Sequence, residues 1–128
     1  MRLLLDTCTF LWIVGGAPEL SARARQAFAD PGNEVYLSAA SAWEIAVKHR
    51  LGRLPLPEAP DRFVPQAREA HGIDRLDIDE AAALHVARVP DLHRDPFDRI
   101  LVAQALLGGL VLVTPDEALR QYPAPTLW

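Results

Sequence analysis

Three short apolar runs without polar alternation, Leu3-Leu4-Leu5, Val35-Tyr36-Leu37 and Leu110-Val111-Leu112-Val113, read as strands covered on both faces, the pattern of a parallel sheet. Between them lie segments with helical punctuation: Thr7 to Val14 before Gly15-Gly16, Ser21 to Ala29, Ser41 to Leu51 before Gly52, and Pro96 to Leu107 before Gly108. Asp79 to Val89 predicts another helix. Asp61 to Ala70 predicts one that Pro65, suited only to a first turn, would start late. Arg75 to Ile78 and Thr126-Leu127-Trp128 add two short strands, the second at an edge. Strands alternating with helices imply crossovers, and so an α/β fold around a mostly parallel sheet of about five strands.

The 128 residues suit a single domain, 1–128, burying roughly two-thirds of the surface its unfolded chain exposes. Half the residues are hydrophobic and the 11 prolines are scattered, with no repeat, which excludes disordered and low-complexity readings. The single Cys8 allows no internal disulfide and fits a reducing cytoplasm, as a small buried residue. Met1 to Leu5 begins like a secretory leader, but Asp6 splits the apolar stretch. Ile100 to Val113 is broken by Gln104 and two glycines and falls short of the roughly 20 residues of a membrane span, so no membrane is expected. A net charge of −4 argues against a general nucleic-acid coat, although the arginines leave room for local phosphate contacts.

Asp6, Glu44, Asp98 and Asp116 change the picture, because each lies just past an apolar run or in an expected first helical turn. In an open α/β sheet such positions converge outside the carboxyl ends of the strands. Each acid also has a plain structural use. Ser41 to Glu44 and Thr114 to Glu117 both match a capping box, the second with Pro115 at the first helical position. Asp95-Pro96-Phe97-Asp98 reads as cap, Pro and first-turn acid.

Magnitudes favour more than capping. A carboxylate near a helix N-terminus gains roughly 0.3 to 1 kcal/mol, whereas two carboxylates about 4 Å apart repel by about 4 kcal/mol at an effective dielectric of 20. A cluster would need protons or hard cations, and Mg²⁺ or Mn²⁺, as one or two ions, prefers such oxygen ligands. Held beside open water positions, such an ion activates water and stabilises charge developing on a phosphodiester. Arg99 and the group Lys48, His49, Arg50 and Arg53 are candidates for substrate phosphates, with an i,i+4 pair to Glu44 the alternative for Lys48. Cys8 has no histidine near in sequence, and His49, His71, His85 and His93 lack a short ligand spacing, so thiol catalysis and zinc are disfavoured.

Four segments in order resemble a PIN-domain protein of the VapC toxin type: Leu3 to Thr7, Ser41 to Lys48, His93 to Ala105, and Leu112 to Asp116. The resemblance runs from Leu3 to about Tyr122. It implies a three-layer α/β/α fold and an Mg²⁺- or Mn²⁺-dependent ribonuclease, homodimeric and encoded with an antitoxin that blocks the pocket. By motif position, Asp6 and Asp98 would be the principal metal ligands, with Asp116 helping directly or through water. Glu44 would hold a second ion or orient the attacking water. Thr7 and Thr114 match the hydroxyl residues that accompany the acids, and Asp95 matches the cap before Asp98. Trp12 and Trp43 would either line an antitoxin groove or sit in the core.

Two other acidic-pocket classes fit less well. An aspartate-nucleophile phosphatase wants a second Asp where Cys8 stands, and a receiver-like domain wants a late lysine, whereas Lys48 is the only one. A non-catalytic interaction domain whose acids only cap helices is the remaining rival.

Overall fold

The computed structural model describes residues 1–92 and 94–128; His93, the first residue of the third motif segment, lies outside them. Five strands form one sheet in the order β3-β2-β1-β4-β5. They are β1 (Arg2–Leu5), β2 (Glu34–Ser38), β3 (Asp74–Leu76), β4 (Val111–Val113) and β5 (Thr126–Leu127), and every pairing is parallel. All three apolar runs are strands, and both short strands exist, although β3 begins at Asp74 and carries its exposed residues at the sheet edge.

The central strand explains the layers. Leu3 and Leu5 of β1 point into one core cluster and Leu4 into the other, which is why the run has no polar alternation. On one side pack α1 (Thr7–Gly15), α2 (Ala22–Ala29), α4 (Pro60–Ala70) and Ile45 of α3 (Ala39–Arg50). On the other lie α6 (Pro96–Gly108), Leu119 of α7 (Glu117–Arg120), Ala82 of α5 (Glu80–His85), and Val89, just past a 3-10 turn (Val86–Arg88). The result is the expected α/β/α arrangement, with the sheet fully parallel.

Several boundaries differ from expectation for local reasons. Ser38 at the end of β2 accepts the Ala40 amide on its hydroxyl, so α3 starts before Ser41 and the expected Ser41–Glu44 capping box does not form. Asp116, not Thr114, caps α7, which leaves Pro115 outside the helix. Helix α4 runs through Pro65 from a Pro at its start, because the Val64 and Ala67 face is buried and outweighs one missing N–H bond. The segment expected as one helix to Val89 gives way to the 3-10 turn after His85. Helix α6 runs one residue past Leu107 to include Gly108, and Gly109 takes the left-handed cap at φ 63°.

Candidate active site

The chain winds outward from β1 in one direction and returns through β4 in the other, so the crevice between their carboxyl ends is the switch point of the sheet. Asp6, the residue after β1, faces it and is 4% exposed. It caps α1: Oδ1 accepts the Thr9 amide at 2.9 Å. Its Oδ2 accepts the Thr114 hydroxyl from the end of β4 at 2.5 Å. That hydroxyl oxygen accepts the Asp116 amide at 3.0 Å, which ties the fourth acid to the first. Thr9 completes the stitch by donating its buried hydroxyl to the Val113 carbonyl at 3.1 Å.

Burial pushes the Asp6 carboxyl above its ordinary range, and the hydrogen bonds from Thr114, Thr9 and Cys8 pull it partly back. Cys8 is half-buried rather than buried, with Sγ 3.4 Å from Asp6 Oδ1. Burial first, and then the Asp6 charge, push its thiol up to about 12, so it stays protonated and a poor nucleophile.

Glu44 lies in the second turn of α3, not at its start, and is 5% exposed. The Thr7 hydroxyl donates to Oε1 at 2.6 Å, and the Lys48 ammonium donates to Oε2. A 3.0 Å contact also ties Thr7 to the buried Ser41 hydroxyl. The i,i+4 alternative for Lys48 is therefore realised, and the hydrogen bond to Glu44 holds its ammonium above the ordinary range against the cost of burial. Asp98 sits half-buried in the first turn of α6, while Asp95 caps that helix by accepting the Phe97 amide at 2.9 Å. The charge of Asp98 reaches both Cys8 and Lys48, and that of Asp95 reaches Lys48 as well. Asp116 accepts the Ala118 amide at 2.8 Å as the cap of α7.

Among the described residues, no three His, Cys, Asp or Glu side chains are grouped so that they could hold a metal ion together. Magnesium does not require such a group: one or two carboxylates with retained waters are its usual protein share. The hard oxygen donors of Asp6, Asp98 and Asp116 fit that chemistry, and a carboxylate as buried as Asp6 gains from a nearby cation.

Other expected contacts fall elsewhere. Arg99 is turned away from any phosphate role: it donates to the carbonyls of Pro90, Val86 and Val89 at 3.0 to 3.1 Å and pairs with Asp91. Arg50 and Arg53 are exposed, near and beyond the end of α3, and His49 engages the Leu54 carbonyl. Trp43 is not a core residue; it is 54% exposed and meets Phe97 edge to face at 4.8 Å between ring centres. Trp12 packs instead on Trp128, at 5.8 Å.

Three supporting residues escaped the sequence reading. Thr9 and Ser38 looked like ordinary small polar residues. Gln104 looked only like an interruption of an apolar run, yet it accepts the buried Ser38 hydroxyl at 2.5 Å and donates to the Asp77 carbonyl at 3.2 Å, pinning α6 to the end of β2. A lone amide within an otherwise apolar helix was the available signal.

Comparison with known proteins agrees with this architecture. The model of the family described as PIN domain matches residues 3–125. Ribonuclease VapC16 of Mycobacterium tuberculosis is 43% identical over 72 residues, 53% of this chain and 51% of that protein, so the chain spans about half the length of this curated relative. The structure of VapBC2 from Rickettsia felis bound to a DNA fragment from their promoter matches with TM-score 0.73 at 13% identity, covering 100% of this chain and 98% of that one. DNA-bound VapBC from Salmonella typhimurium gives 0.68 at 20% identity over 100% and 97% of the two chains. At these identities the structural likeness is one of fold. No helix among the described residues is long and apolar enough to cross a membrane.

Proposed function

The chain belongs to the PIN domain family, and from that membership we propose that it is a divalent-metal-dependent ribonuclease, the toxin of a toxin–antitoxin pair, with residues 1–128 acting as one catalytic unit in the cytoplasm. The observation that supports this reading is the link from Asp6 through Thr114 to Asp116 at the sheet's switch point, beside a buried Glu44 held by Thr7 and Lys48; Asp98, in the first turn of α6, is proposed to join them. Ribonuclease VapC16 and the VapBC complexes support the substrate class and an antitoxin partner, and the chain is proposed to act as a homodimer.

In this reading Asp6 and Asp98 would hold one Mg²⁺ or Mn²⁺, Asp116 would assist directly or through water, and Glu44 would hold a second ion or orient the attacking water. The ion supplies Lewis-acid stabilisation of the phosphodiester and a more acidic water. The protein's own residues do the rest. Thr9 and Thr114 clamp both oxygens of Asp6, so its direction is set before any ligand arrives. Thr7 and Lys48 fix Glu44 in the same way, and the ammonium retains donors for a phosphate oxygen.

The rival, an interaction domain whose acids only cap helices, has an observation in its favour: Asp6 and Asp116 are both caps. It does not account for Glu44, a buried carboxylate in the second turn of α3 held by Thr7 and Lys48 rather than by a helix start. The test is cleavage of a mixed RNA pool by purified protein with Mn²⁺, beside EDTA and Asp98→Asn controls. Cleavage lost in both controls is expected, with a fall of at least about a hundredfold for the variant. A folded Asp98→Asn chain that cleaves at the native rate overturns the assignment.

A further inference from the structure

Trp43 and Phe97 form an exposed aromatic pair that none of the proposed chemistry uses. Trp43 immediately precedes Glu44 and Phe97 immediately precedes Asp98, so the pair joins α3 to the first turn of α6 one residue from each of those acids. The rings meet nearly at right angles, 78° apart, so at most one face of the indole is covered by Phe97. With 54% of Trp43 in solvent, much of the side chain is accessible to a ligand. Neighbouring residues are about 3.8 Å apart at Cα, which places the indole within about one nucleotide's reach of Glu44.

We propose that Trp43, held upright by Phe97, is a stacking platform for one unpaired base of the RNA, beside the phosphate that is cut. The inference rests on the ribonuclease reading and names the strand state and a base contact of that substrate. For a single strand the arrangement has a use: one flat apolar face takes a base while the adjoining phosphate meets the Lys48 ammonium and the ions held by the acids. Stacking on a single face accepts any base but not a paired one, so cleavage would be confined to loops, bulges and ends. Phe97 acts as a positioning residue. Its edge contact restricts the indole's rotation, and the Asp95 cap holds the Phe97 backbone.

The test compares native protein with Trp43→Ala and Trp43→Tyr in three measurements: steady-state cleavage of a fluorescent single-stranded RNA pool with sequencing of the cut ends, indole fluorescence on adding an uncleaved deoxy-substituted strand, and oligomeric state. Trp43→Ala is expected to raise KM about tenfold with a smaller effect on kcat, and to change the base distribution beside the cut. Trp43→Tyr should restore most of the affinity. The strand should quench the fluorescence of the native chain and not that of Trp43→Tyr. If the native chain cleaves RNA and Trp43→Ala matches it in KM and cut sites, stacking is wrong and the nuclease assignment stands. A native dimer that Trp43→Ala turns into a monomer reassigns the pair to a subunit contact. A native chain that neither cuts nor is quenched removes both readings.

Discussion

Asp6 carries the tension of the site in one side chain. Its carboxylate is buried, which disfavours the charge that a metal ligand needs, and the fold answers with donors from Thr9 and Thr114 rather than with a basic residue. Asparagine would keep the acceptor that caps α1 and lose the buried charge. Asp6→Asn is therefore expected to melt in metal-free buffer within about 1 kcal/mol of the native chain or above it. The same variant removes the second cause of the raised Cys8 thiol and leaves the first, its burial. Raised means protonated at neutral pH. Alkylation of Cys8 by iodoacetamide at pH 8 should thus be slow in the native chain and faster in Asp6→Asn; equal rates would show that the two groups do not communicate. The pairing of these residues was not legible beforehand. Asp6 to Cys8 is adjacent in sequence, but whether a thiol two residues on turns toward a carboxylate depends on the helix that starts between them.

At the scale of elements, helix starts decide where acids point. A capping box at Ser41 would have spent Glu44 on the backbone of α3. Because Ser38 caps instead, Glu44 moves into the second turn and its carboxylate is released to Thr7 and Lys48. One residue thus sets both the end of β2 and the register of a proposed catalytic side chain. Ser38→Ala removes the Ala40 bond and strands the Gln104 carbonyl, and should cost about 2 kcal/mol in urea unfolding. A loss under about 0.5 kcal/mol would mean that packing alone holds this junction. Ser38 and Ser41 lie three residues apart and serine caps well at either place, so propensity does not explain why Ser38 is used. The choice is made by where β2 stops pairing with β1 and β3, which is a property of the sheet. Arg99 shows the same dependence. Its neighbour Asp98 suggested a place beside the substrate, yet the irregular turn from Val86 to Pro90 presents three carbonyls within reach of one planar guanidinium, which binds them together.

For the whole molecule, stability and the proposed activity are linked through the crevice. Mn²⁺ at a hundredfold excess over its Kd should stabilise the native chain by about 2.7 kcal/mol in thermal unfolding, and leave the Asp6→Asn, Asp98→Asn double variant unchanged. A double variant that still gains the shift would place the ion elsewhere. Periodicity alone determined a great deal here. Runs with no polar alternation report strands buried on both faces, so an α/β fold around a mostly parallel sheet followed from the pattern along the chain, and the resemblance added the three layers. The four acids were singled out by their places at strand ends and helix starts, and Thr7 and Thr114 by the resemblance, and their catalytic roles are part of the proposal. What the tertiary structure decided is who faces whom. Thr114 lies 108 residues from Asp6 and Gln104 lies 66 from Ser38, and no local pattern encodes a hydrogen bond across such a gap. Whether Trp43 is core or surface was likewise undetermined, since a bulky apolar residue on a short helix has the same sequence signature in either place. Its exposure depends on where α6 crosses α3, and only packing the layers sets that crossing.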